Sequence, residues 1–133
     1  MPGGLPCGCS SEHCETWTTT SATRRWTRGE GSYDESFPVF TARIDEAMAR
    51  TCDLAGGSST VVVVSSGGAI SWVAASLLLG TTKPDDTAAA LWQQLNKVVV
   101  NTSITKVVLG RRGATLVSFN EHSHLEGNGL TYR

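Results

Sequence analysis

The stretch Val61-Val62-Val63-Val64-Ser65-Ser66-Gly67-Gly68-Ala69-Ile70 sets four β-branched residues ahead of two serines, two glycines and an alanine-rich apolar run. β-branched side chains favour extended backbone, paired glycines favour a tight loop, and the apolar run that follows suits a buried helix. The order predicts strand, loop, helix. A helix that begins directly after such a loop directs its first unpaired N–H groups, and the positive end of its macrodipole, into one small volume. Ser65, Ser66, Gly67 and Gly68 are therefore the candidate phosphate-binding residues. The competing structural reading of the same residues is a turn in which serine caps the helix and glycine permits close packing.

Size and charge narrow the classes of function. A chain of 133 residues suits one domain. A formal net charge of −1 lacks the basic excess of a protein that grips nucleic acid through its phosphates. The longest nearly unbroken apolar segment, Trp72 to Leu79, falls well short of the ~20 residues needed to cross a bilayer, so no membrane partner is expected. The first thirty residues lack the apolar centre of a secretory signal, which makes a cytoplasmic location the expectation. Cys7, Cys9 and Cys14 crowd the N-terminus while Cys52 stands alone, a poor match to a secreted disulfide framework. With His13 they offer four ligands that zinc accepts, but their spacing matches no paired Cys-x-x-Cys arrangement, so no metal and no cofactor is assigned.

Residues 1–30 contain no valine, isoleucine or phenylalanine and show no helical or strand periodicity, which predicts a disordered or loosely attached segment. A helix is predicted from Ser36, an N-cap with Pro38 in the first turn, carrying Phe37, Phe40, Ile44, Ala47 and Met48 on one face. Ala69 to Leu79 predicts a largely buried helix closed by Gly80. Pro84-Asp85-Asp86-Thr87 leads into a short helix with Leu91, Trp92 and Leu95 on one side. Val98 to Val100 and Ile104 to Leu109 read as β, and Gly110-Arg111-Arg112-Gly113 reads as a four-residue connection into Ala114 to Phe119, an antiparallel hairpin.

Four blocks in order carry a family resemblance: Gly31-Ser32-Tyr33-Asp34-Glu35-Ser36-Phe37 with its helix, Val61 to Ile70, Asn101 to Thr105, and Ser118-Phe119-Asn120-Glu121-His122-Ser123-His124-Leu125. Together they resemble the C-terminal half of the histidine phosphatase superfamily, the phosphoglycerate mutase-like proteins, over roughly residues 31–133. The resemblance implies an α/β fold, part of a three-layer sandwich with a mostly parallel sheet and an antiparallel C-terminal hairpin. It implies phosphomonoester hydrolysis or phosphoryl transfer by ancestry, through a histidine within an Arg-His-Gly motif that becomes phosphorylated. A second histidine of the family precedes the paired glycines. Imidazole serves as the nucleophile there, and guanidinium groups neutralise the transferring phosphoryl group.

Two departures bear on activity. No Arg-His-Gly occurs in the chain, and Ser66 stands at the position of the second histidine. The expectation is a shortened family member that retains a phosphate loop and little or no turnover. The alternative is a non-catalytic phosphate-binding or assembly module whose exposed sheet edge pairs with a complementing chain or another copy. His122 and His124 alternate as at a strand end and, with Glu121 or Glu126, have the types of a metal site, but a polar loop is the favoured reading. Arg111 and Arg112 read as a solvated turn, Trp72 and Trp92 as packing residues, and Asp34 and Glu35 as acidic residues at a helix entry rather than general acids.

Overall fold

The computed structural model of the chain describes residues 18–125, 127 and 129–132. Along them run helices α1 (Thr18–Thr27), α2 (Phe37–Leu54), α3 (Gly67–Leu79) and α4 (Asp86–Val98), then strands β1 (Ile104–Gly110) and β2 (Gly113–Glu121), and a short 3-10 turn at Ser123–Leu125. Local chemistry explains the helix boundaries. Ser36 Oγ accepts from the Val39 N–H at 3.5 Å, and Pro38 occupies the first turn, where its missing N–H is no loss. Asp85 caps α4 by accepting from the Ala88 N–H at 2.8 Å. Gly80 ends α3 in the left-handed region, at φ 64°, a conformation that costs glycine nothing.

The core is aromatic and sits where three helices meet. Phe37 is fully buried, with ring centroids of Trp26, Trp72 and Trp92 at 5.2, 5.7 and 5.1 Å. Ile44, Ala75, Ala88 and Ala89 complete it. Burying an indole leaves an N–H in need of an acceptor, and each of these three tryptophans has one. Trp26 Nε1 donates to the Glu35 carbonyl at 2.7 Å, Trp72 Nε1 to Asp45 Oδ1 at 2.9 Å, and Trp92 Nε1 to the Gly68 carbonyl at 2.8 Å. The bonds tie α1 to the entry of α2, α2 to α3, and α3 to α4.

The predicted mixed α/β composition and the C-terminal hairpin are present; the parallel sheet is not among the described elements. The sheet is the antiparallel pair β1 and β2 alone among the described residues. Four local expectations need correction. Val61–Val64 does not form a paired strand, because no other described strand lies beside it to supply hydrogen bonds. Val98 ends α4, and Val100 makes only an isolated antiparallel bridge to Tyr132. Gly110 pairs with Gly113, so the hairpin connection is the two residues Arg111 and Arg112 rather than four. Finally, Thr18–Thr27 is helical where no periodic element is expected, since Trp26 packs on Phe37, Phe40 and Trp92 and so holds the segment through tertiary contact. α3 is also less buried than its sequence predicts: Leu78 and Leu79 at its end are exposed. Among the described residues no helix is long and apolar enough to cross a membrane.

Replacing Trp92 with Phe removes the bond to Gly68 and part of the buried ring, and is expected to cost about 2 kcal/mol, read from the urea midpoint at constant slope. Asp45 is different in sign. Burial raises its carboxyl above the ordinary value, against the opposing hydrogen bond from Trp72. A carboxyl raised on folding binds more protons in the folded state, so its contribution to stability falls as pH rises from the unfolded pKa through the folded one. Asp45→Asn keeps an oxygen for Trp72 and removes the charge; its stability relative to the parent should therefore improve between pH 3.5 and pH 7. Parallel urea titrations at the two pH values check this, and a parent that gains on the variant over that interval contradicts it.

Candidate functional site

Ser65 to Gly68 form the entry to α3, with extended backbone giving way to helix at Ser66 (φ −82°, ψ 156°). Ser66 occupies the N-cap position, and its carbonyl accepts from the Ile70 N–H at 3.0 Å. Its side chain makes no capping bond. The Gly67, Gly68 and Ala69 N–H groups precede the first intrahelical donor, so they have no helical acceptor either. Ser65 and Ser66 are exposed, which leaves two hydroxyls beside those N–H groups in water's reach. Three oriented donors, two hydroxyls and a helix start are the parts from which anion sites are made.

The loop is backed by the core. Gly68 is buried, and its carbonyl receives Trp92 Nε1 from α4. Gly67 lies against Val99: a Cβ at Gly67 would stand 3.3 Å from Val99 Cγ1, so glycine is the residue that fits without displacing the neighbour. Val99 in turn depends on a residue that motif spacing does not single out for this role. Asn120, at the end of β2, accepts from the Val100 N–H through Oδ1 at 2.8 Å and donates through Nδ2 to the Val98 carbonyl at 2.7 Å. Its φ of 59° is left-handed, a conformation asparagine tolerates better than most residues. A lone Asn inside an alternating strand was the available sequence signal.

The other candidate residues lie apart from this loop. His122 Nδ1 is 2.7 Å from the Asn120 carbonyl, and His124 Nε2 is 3.1 Å from the Thr102 carbonyl. His122 lines an open cleft of about 750 Å³ with Lys106, Asn120, Glu121, Ser123 and Leu130, none of which belongs to the glycine loop. Lys106 Nζ holds Glu121 at 2.9 Å, which lowers the Glu121 carboxyl below its ordinary value. Glu35 is likewise lowered, by paired hydrogen bonds from Arg43 at 2.8 and 2.9 Å. A carboxylate so held is ionised at neutral pH and unsuited to donate a proton. Asp34 is exposed, as are Arg111 and Arg112 at the hairpin tip. Trp72 and Trp92 serve in the core. Among the described residues, no group of three or more His, Cys, Asp or Glu side chains could hold a metal ion. Cys7, Cys9, His13, Cys14 and Glu126 lie outside the described residues.

Asn120→Ala should loosen the backing of the loop. Two hydrogen bonds at about 1 kcal/mol each and about 1 kcal/mol of left-handed strain give an expected loss of about 3 kcal/mol in unfolding free energy. Faster amide exchange at Val98 to Val100 than in the parent is the local signature to look for.

No curated protein matches the chain. No solved structure matches it. The model of the histidine phosphatase superfamily (branch 1) does match, over residues 9–122, so the likeness takes in α1 and the later blocks as far as His122. The chain thus belongs to the histidine phosphatase superfamily.

Proposed function

We propose that this chain binds the phosphate group of a small phosphomonoester at Ser65, Ser66, Gly67 and Gly68, and that phosphoryl transfer, the chemistry of its ancestry, is impaired in it. The observation that carries the reading is the uncapped start of α3: Ser66 sits at the N-cap with no side-chain capping bond, and the Gly67, Gly68 and Ala69 N–H groups have no hydrogen-bond acceptor among the described residues. A phosphate oxygen would supply the missing acceptor, and the helix dipole adds about 0.3–1 kcal/mol at an exposed site. No guanidinium stands among these four residues to clamp the anion. A net gain of about 4 kcal/mol from the donors and the dipole corresponds to a Kd on the order of 1 mM.

What supports impairment is that the sequence contains no Arg-His-Gly. The three histidines are His13, His122 and His124, and none stands in an Arg-His-Gly context. Ser66, at the second-histidine position, donates a hydrogen bond but carries no positive charge toward a developing phosphoryl anion. Its hydroxyl is a weak nucleophile without an adjacent base. Correspondence to the C-terminal half of the family's fold belongs to this proposal, as does a cytoplasmic location, which rests on the sequence alone.

A second reading, a non-catalytic assembly module, draws on a separate observation. Val61 to Val64 are exposed, and no backbone group in them is paired among the described residues. An extended apolar segment of this kind is a template for another strand.

Amide shifts decide the binding reading. Titrating inorganic phosphate to 50 mM is expected to move the Gly67, Gly68 and Ala69 resonances together, and Ser66→Asp, which places a carboxylate at the N-cap, should abolish the movement. Unmoved resonances in the parent would overturn phosphate binding. Turnover is tested separately with an aryl phosphate from pH 5 to 8, quenched to trap phosphohistidine. No product and no trapped species are expected; a trapped phosphohistidine would refute impairment.

A further inference from the structure

We propose that the cleft at the end of β2 is a binding site for a neutral, polyhydroxylated small molecule, a polyol or a sugar. The inference draws on residues outside the glycine loop and does not depend on the phosphate reading. The cleft holds about 750 Å³ between Lys106, Asn120, Glu121, His122, Ser123 and Leu130, a size that suits a small molecule. The hairpin and the C-terminal segment build it together. Lys106 comes from β1, Asn120 and Glu121 end β2, and Leu130 lies just ahead of the bond in which the Thr131 carbonyl accepts from the Asn101 N–H at 2.9 Å. One wall is fixed, since the Asn120 side chain is taken up by Val98 and Val100.

The chemistry of the lining selects the ligand. Its ammonium and its carboxylate cancel: Lys106 Nζ stands 2.9 Å from Glu121 Oε2, so an anionic or cationic ligand gains no net field and has to break that pair to be held by either member. The hydrogen bond from Lys106 keeps the Glu121 carboxyl below its ordinary value, and it therefore accepts only. A backbone carbonyl also only accepts, so the 2.7 Å contact between His122 and the Asn120 oxygen puts a hydrogen on Nδ1. In the neutral ring Nε2 then offers a lone pair. Ser123 adds a hydroxyl that gives and takes, and Lys106 keeps further N–H donors. Donors and acceptors thus line one concavity, and the group that answers both from a single atom is a hydroxyl. Leu130 supplies apolar surface for the carbon skeleton of such a ligand. A metal ion is a poorer match, because no group of three His, Cys, Asp or Glu side chains that could hold one occurs among the described residues.

The test follows the His122 ring protons and the Glu121, His122 and Ser123 amides by NMR while the full chain is titrated at pH 7.5 with myo-inositol and, in separate arms, with glucose and with sodium sulfate, each to 200 mM. Saturable movement with at least one of the two neutral probes is expected, and sulfate should leave the signals in place. His122→Phe, which keeps an aromatic ring but loses Nε2, should weaken the binding at least threefold. Ser123→Ala, at an exposed position, should weaken it as well and serves where the ring replacement perturbs the fold. Shifts that stay linear to 200 mM with both neutral probes overturn the proposal, as does saturation that neither substitution alters. Saturation with sulfate, with or without the neutral probes, overturns the assignment to a neutral ligand.

Discussion

The hydrogen bond from Trp92 Nε1 to the Gly68 carbonyl is the constraint on which the candidate site depends. It joins the middle of α4 to the first turn of α3 from the buried side, so the N-terminus of α3 is clamped to the aromatic core rather than free to fray. Because Trp92 also packs on Phe37 and Trp26, the position of the loop is set by contacts that reach α1 and α2. The uncapped donors of Gly67 and Gly68 are therefore presented by a supported helix start. For the phosphate binding proposed above, donors held in this way would lose little freedom on meeting a ligand.

Support arrives from the other side through the hairpin. A two-stranded hairpin is marginal alone, and β1 with β2 gains purchase where Asn120 reaches both Val98 and Val100. Those two bonds hold Val99 buried between them, and Val99 is the neighbour that a side chain at Gly67 would press against. Gly67 is consequently favoured by packing, apart from any ligand. Of the structural reading of Ser65 to Gly68, close packing accounts for Gly67, whereas the serine cap is not formed, since the Ser66 side chain makes no capping bond.

Elements whose causes are local were legible in the sequence. Ser36, Asp85 and Gly80 act within one turn of their own positions, and alternation along Ile104 to Phe119 specified the hairpin. What escaped has non-local causes. α1 holds because Trp26 finds a ring cluster built from α2 and α4, which threonine-rich composition does not announce. Four valines in a row state a preference for extended backbone, but strand identity belongs to a pair, and the second member is not among the described residues. The loop residues themselves were legible by type. Their backing by Asn120 was not, since a hydrogen bond across twenty residues leaves no periodic trace.

The unpaired segment and the loop are linked by the chain itself. Val64 is two residues from the N-cap, and an extended run without partners samples more conformations than a paired one, at a cost of roughly 1–2 kcal/mol per residue when it is fixed. α3 is anchored from the core at Trp92, while the valines that lead toward it are exposed and make no backbone hydrogen bond among the described residues.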